Sequence, residues 1–192
     1  MSTSNVLPVL RTCDRSDAYR AVRRLLGLVV PMDGFRVSAF GQVLAVAEAE
    51  RLVAAFPEGV IIPDEGPESS DETRAMVVAG DPRVAGMLPL RFYLDDCPVG
   101  SIEEAFLGVV GAGAGWIDWG WFSWPAVPEL GLEMQNKDAC VQIAINSRDV
   151  TADVPAADHT VFLHFRSGDV ERAEWLARQV GLRGIGPVEM GW

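Results

Sequence analysis

Apolar positions along the chain alternate between two periods, and each change of period marks an element. Residues 5–12 (NVLPVLRT) read as a strand, with Pro8 placing it at an edge or an end. Asp14 then offers a helix N-cap, and Ala18, Val22, Leu25 and Leu26 recur at i, i+4, i+7 and i+8 as one apolar stripe. Arg15, Arg20, Arg23 and Arg24 lie mostly off that stripe, and Gly27 is a fitting stop. Phe35 to Phe40 and Gln42 to Ala47 read as short strands around Gly41, while the run Ala45 to Phe56 fits a helix equally well. Val60 to Ile62 is a strand ended by Pro63. Asp64 to Glu72 (DEGPESSDE), five acids in nine residues, is a surface loop. A short helix over Glu72 to Ala79 follows, closed by Gly80-Asp81-Pro82.

In the second half, Leu88 to Asp95 is a strand with Leu90, Phe92 and Leu94 on one face and Arg91, Tyr93 and Asp95 on the other. Ser101 to Glu104 has the spacing of a capping box for a helix running to about Gly111. The GAGAG of residues 111–115 is a flexible turn. It follows a helix and precedes a strand, the reverse of what a dinucleotide fingerprint needs. Leu130 to Gln135 and Ala139 to Asn146 suggest a hairpin around Asn136-Lys137-Asp138, with Cys140, Gln142, Ala144 and Asn146 on one face of its second strand. Asp149 to Asp158 is a loop, and Thr160 to Arg166 a strand. A helix capped by Asp169 follows to about Val180, and the last eleven residues form a loop or a short final strand.

Between the glycine turn and the predicted hairpin lies the densest aromatic stretch, residues 115–125 (GWIDWGWFSWP), which holds four of the six tryptophans. As a strand it would put Trp119, Trp121 and Ser123 on one face and Trp116, Asp118, Gly120, Phe122 and Trp124 on the other. Both faces then carry large rings. Either the strand is buried on both sides, or one side is an aromatic wall for a flat or cationic ligand, with Asp118 as its polar contact.

Composition narrows the field. The chain has 192 residues, 49% hydrophobic and 22% charged, which suits one domain spanning 1–192 or two modules divided near residue 85 (about 1–85 and 86–192). A formal net charge of −11 repels phosphate backbones, so no nucleic acid partner is expected; cationic partners are favoured, whether basic antibiotics, polyamines or the basic face of a nuclease. Cys13, Cys97 and Cys140 are odd in number and widely spaced, which argues against a disulfide framework or zinc knuckle. Met1 to Asn5 lacks a signal-peptide pattern, and no apolar stretch reaches the length of a membrane span. The expected setting is the cytoplasm, without membrane contact.

Two segments repeat. Val9-Leu10-Arg11-Thr12-Cys13-Asp14 leads to a helix ending at Gly27-Leu28, and His164-Phe165-Arg166-Ser167-Gly168-Asp169 to one ending at Gly181-Leu182; Leu90 to Gly111 is a looser third copy. Repeated β-α units followed by several strands predict an α+β fold with a curled, mostly antiparallel sheet. The opening Val6 to Arg11, Asp14 and Arg20 to Leu28, with Val161 to Leu182 as a second opening, resembles the glyoxalase and bleomycin-resistance (vicinal-oxygen-chelate) superfamily. The resemblance implies paired βαβββ modules, a homodimer, and either a metal-dependent enzyme or a metal-free drug-binding, antibiotic-resistance protein. Val6 to Thr12 contains neither His nor Glu, the ligand types the family's metal enzymes place near strand starts.

The remaining chemistry is sparse. His159 and His164, five apart on a strand, face opposite sides and would not grip one ion; His164 shares a face with Phe162 and Arg166 and is a candidate general base or single metal ligand. No G-x-S-x-G elbow occurs, and neither Cys97 nor Cys140 has the context of a nucleophile. No catalytic residue, metal or cofactor is assigned. If the sheet curls, Arg91, Tyr93, Gln142 and His164 would converge with Trp116, Asp118, Trp119, Trp121 and Trp124 on a small-molecule site. The leading expectation is therefore a ligand-binding protein of the drug-sequestering type. The alternatives are an acidic immunity-type inhibitor of a basic toxin or nuclease, steered by residues 64–72, and a metal-dependent lyase or dioxygenase.

Overall fold

A computed structural model gives the architecture and describes residues 4–66 and 68–191. In chain order the elements are β1 (Ser4–Thr12), α1 (Arg15–Leu26), β2 (Val30–Val43), α2 (Val46–Ala55), β3 (Val60–Pro63), α3 (Ser70–Val78), β4 (Leu90–Pro98), α4 (Glu103–Val109), β5 (Gly115–Ser123), β6 (Cys140–Ile145), β7 (His159–Arg166), α5 (Val170–Gln179) and β8 (Glu189–Met190). Single 3-10 turns span Pro82–Gly86 and Pro128–Leu130. The strands form one open antiparallel sheet in the order β3-β4-β2-β5-β6-β7-β1-β8. This is the α+β fold of repeated β-α units that the pattern predicts. β1-α1 and β7-α5, the repeated segments, lie on neighbouring strands, with Leu7 opposite Leu163 and Arg11 opposite Thr160. No helix among the described residues is long and apolar enough to cross a membrane.

Alternation along each strand sends one set of side chains under the helices. Val37 and Ala39, Phe92 and Leu94, Ile117 and Trp119, Val141 and Ile143, and Leu163 and Phe165 join Val22, Leu52, Phe106 and Leu176 from the helices in a contiguous core. Among the described residues the opposite face carries no helix. There the cluster Val6, Ala144, Val150 and Phe162 is covered by the chain between β6 and β7.

Several local expectations hold for the stated reason. Asp14 caps α1, its carboxylate accepting from the Ser16 amide at 2.7 Å, and Gly27 ends the helix. Pro8 sits at a bulge in the β1–β7 ladder, where its missing N–H breaks no pair; its carbonyl accepts from the Ile185 amide at 2.9 Å. The final short strand is β8, pairing Glu189 and Met190 with Val6 and Asn5.

Other expectations are corrected. Gly41 does not divide two strands: β2 runs through it unbroken, and 46–55 is helical, burying Ala49, Leu52 and Val53. At Gly41 a Cβ would press on Val110 at 3.2 Å and Phe106 at 3.4 Å, so the glycine makes room for α4. The GAGAG turn is pinned. Gln42 donates to the Ala114 carbonyl at 2.8 Å, and Asn146 to that of Gly113 at 2.8 Å; a Cβ on Gly113 would collide with the Gln42 carbonyl.

The expected capping box at Ser101 and Glu104 does not form. Ser101 donates to the Pro98 carbonyl at 2.6 Å, and the buried Glu103 instead accepts from the Gly100 and Ile102 amides at 2.8 and 3.1 Å. A capping box does occur at Ser69 and Glu72, which starts α3 inside the stretch expected to be loop. Asp169 precedes α5 but makes no side-chain cap bond, and its carboxylate meets Arg172 at 3.4 Å. Nor do residues 130–135 form a hairpin with β6. Both edges of β6 are taken by β5 and β7, and 130–135 folds back on 124–127 through the bridges Trp124–Gln135 and Val127–Leu132.

Candidate functional site

Register decides which side chains meet on the helix-free face. Tyr93, Phe40 and Trp116 stand opposite one another on β4, β2 and β5, with ring centroids 5.0 Å apart for Phe40–Tyr93 and 5.9 Å for Phe40–Trp116. The next row along the strands is Ser38, Asp118, Gln142 and Phe162, and the one after that holds Cys140, His164 and Val6. Asp149 braces the 146–158 connection, accepting from the Val154 amide at 2.9 Å and the Ser147 hydroxyl at 3.0 Å. That connection lays Val150 over the β6–β7 half of the face, and its residues 151–155 form one wall beside the aromatic row. What remains is a cleft of about 360 Å³ whose lining includes Phe40, Tyr93 and Trp116, the Arg91–Asp64 ion pair, and Asp153 at the rim. The Tyr93 hydroxyl and the Asp64 carboxylate hold the Arg91 guanidinium above its ordinary value.

The tryptophans part company. Trp116 faces the cleft. Trp119 lies beneath the helices, stacked on Tyr19 at 6.1 Å, with its indole N–H donating to Glu103 at 3.1 Å. Trp124 is also in the core, edge-on to Phe122 at 4.8 Å and donating to the His164 carbonyl at 2.9 Å. The expected grouping of Phe122 and Trp124 with Trp116 and Asp118 fails at one residue: Trp121 has a φ of 61°, and this left-handed step shifts the alternation. Phe122 and Trp124 turn into the core, and Trp121 is left 66% exposed. A bulky residue in that region is strained by about 1 kcal/mol relative to glycine. Because the exposed indole buries little, Trp121→Gly is expected to raise the melting temperature by roughly 2–4 °C in a thermal scan; a drop would mean that the ring is held by packing.

His164 is 1% exposed, and burial lowers it to about 3, so it is neutral at physiological pH. Its Nε2 meets the Gln142 side-chain oxygen at 2.9 Å and its Nδ1 the Ser4 hydroxyl at 3.5 Å, while the Gln142 amide donates to the Val150 carbonyl at 2.7 Å. These bonds tie β7 to β6, β1 and the covering loop. A ring held neutral to so low a pH is a weak general base near neutrality. Ser4, Cys140 and His164 border a second cavity of about 390 Å³, with Met32, Trp121 and Lys137 among its other walls. Burial, then the nearby Asp118, pushes the Cys140 thiol well up, away from thiolate chemistry. His159 faces the opposite side, accepting from the Asn146 amide at 3.0 Å. Among the described residues no three His, Cys, Asp or Glu side chains group to hold a metal ion.

Of the residues singled out in the sequence, Arg91, Tyr93 and Trp116 come together in the cleft. Asp118 and Gln142 form the adjacent row, His164 lies one row further, Trp121 borders the second cavity, and Trp119 and Trp124 are structural. Phe40, Asp64 and Asp153 complete the cleft and were not singled out. Phe40 had a legible signal, since it alternates with Ser38 and Gln42, but the pairing that brings it between Tyr93 and Trp116 is tertiary.

Asp118 is also strongly perturbed. Its carboxyl lies deep among surrounding atoms, although the residue keeps some contact with solvent. Burial first, then the like charges of Asp95 and Asp96, raise it to about 7. Compared with known proteins, the chain matches no family model, no curated sequence and no solved structure.

Proposed function

We propose that the protein binds a planar, cationic small molecule in the cleft over Phe40, Tyr93 and Trp116, as a cytoplasmic sequestering protein of the drug-binding type. The observation that carries this reading is the row of three aromatic rings lining the cleft, edged by the Asp153 carboxylate and the Arg91–Asp64 ion pair. Flat π-faces attract cations and stack on planar rings, and the chain's net charge of −11 adds attraction at longer range. Three free thiols, Cys13, Cys97 and Cys140, fit a reducing compartment. The resemblance of residues 6–28 to the opening of the glyoxalase and bleomycin-resistance family, which has a metal-free drug-binding branch, is in keeping with this reading.

Titration with aminoacridine, followed by tryptophan fluorescence, tests the reading. Saturable quenching is expected, and Trp116→Ala should weaken binding at least about tenfold, on the order of 1.4 kcal/mol, with the melting temperature changed by only a few degrees. Equal affinity in wild type and Trp116→Ala would reject the cleft as the site. Absence of any quenching would move the weight to a basic protein partner, for which the exposed Trp121 would be the contact.

A further inference from the structure

Among the described residues, no donor and no cation is bonded to the Asp118 carboxylate. Its neighbours across the sheet have their bonds elsewhere. The Ser38 hydroxyl accepts from the Asp96 amide at 3.1 Å, and Gln142 is bonded to His164 and Val150. The ionisable groups acting on it are Asp95 and Asp96 from β4 and the Cys140 thiol from β6, all of them acids. Arg36 on β2, one row further, has its guanidinium on the Phe35 carbonyl at 3.0 Å. A carboxylate drawn partly out of water is costly to keep charged without a counter-ion. Asp118 is partly buried and unpaired, and it faces the same side of the sheet as Trp116, two residues along β5 and so about 6.6 Å from the aromatic row.

We infer that the ligand of the aromatic cleft carries a second cationic group, an ammonium on a short arm, which lies against Asp118 while the planar ring covers Phe40, Tyr93 and Trp116. The inference rests on the cleft being the ligand site, and it narrows the ligand class to planar aromatics with a pendant amine. The ammonium supplies both the charge and the N–H donors that Asp118 lacks. Near neutral pH, where the free carboxyl is partly protonated, the ammonium displaces that proton to the buffer and an ion pair takes its place.

Two probes separate the inference from the reading beneath it: aminoacridine, and the same ring bearing an aminopropyl arm. Calorimetric titration of the wild type is expected to show the armed ring binding at least about tenfold more tightly, with a heat that depends on the buffer's ionisation enthalpy because a proton is released. The armed ring's advantage should grow from about pH 6 to about pH 8 as Asp118 ionises. In Asp118→Asn the advantage should fall to within about twofold and the proton release should vanish. The chain's net charge attracts any extra cation, so an advantage that survives Asp118→Asn unchanged would overturn the inference. So would an armed ring that binds wild type without releasing a proton, a measurement that needs no variant. If the bare ring binds and the arm adds nothing, only this inference fails; if neither compound binds wild type, the cleft reading fails with it.

Discussion

Glu103→Ala is expected to lower the melting temperature by roughly 10 °C. The Glu103 carboxylate is 2% exposed and gathers three donors: the Gly100 amide at 2.8 Å, the Ile102 amide at 3.1 Å and the Trp119 indole N–H at 3.1 Å. It thus closes the start of α4 and ties that helix to β5 from below. Removing it leaves two buried donors, the Ile102 amide and the Trp119 indole N–H, without a partner, frees the more exposed Gly100 amide to water and opens a void beside Trp119, for a cost of about 3–5 kcal/mol. In a chain of this length each kcal/mol is worth about 2–4 °C. Glu103→Gln keeps an oxygen for Gly100 and Trp119 and loses chiefly the Ile102 bond, so about 1–2 kcal/mol is expected. Thermal scans of the two variants check the ranking. An alanine variant melting within about 3 °C of wild type would show that the carboxylate's desolvation cancels its bonds.

Asp118→Asn is expected to act in the opposite direction, and only at higher pH. The folded-state carboxyl is raised to about 7 from an ordinary 3.8, so between those values the native protein holds a proton that the unfolded chain has lost. Stability contributed by this group is therefore present in acid, declines as pH rises through that window, and is gone above about pH 7. Asparagine cannot ionise and has no such slope. Urea unfolding should show the variant and wild type alike near pH 4 and the variant more stable by about 2–4 kcal/mol near pH 8. A variant less stable than wild type at pH 8 would mean that the charge has a partner in solution. The same partial burial would strengthen the hold of Asp118 on the pendant ammonium proposed above.

What could be read from the chain divides along a physical line. Local rules succeeded where neighbours in sequence determine the outcome. Asp14 caps α1 because an N-cap needs only the next turn of backbone, and Leu90, Phe92 and Leu94 point inward because strand alternation is a property of the strand itself. They failed where a distant partner competes. Ser101 and Glu104 have the spacing of a capping box, yet Glu103 takes the cap because the Trp119 indole, far away in sequence, draws its carboxylate inward. Residues 130–135 cannot pair with β6 because β5 and β7 already occupy both its edges.

The tryptophan stretch shows both sides of that line. Its density announced a strand that could not be wetted on either face. One left-handed residue, Trp121, then decided which rings went where, and no pattern of apolar residues encodes a single dihedral angle. Trp116 came to line the cleft only because β2 and β4 bring Phe40 and Tyr93 beside it.

By itself, then, the sequence determined the α+β class, the repeated β-α units, the acidic field and the candidacy of Trp116, Asp118, Arg91 and Tyr93, since composition and periodicity are local quantities. Only the tertiary structure decided that Trp119 and Trp124 belong to the core, that Phe40 and Asp153 join the lining of the cleft, and that Asp118 is partly buried with no bonded partner among the described residues. Cross-strand register and the path of the 146–158 connection set those contacts, and both depend on which strands become neighbours after the chain has closed long loops.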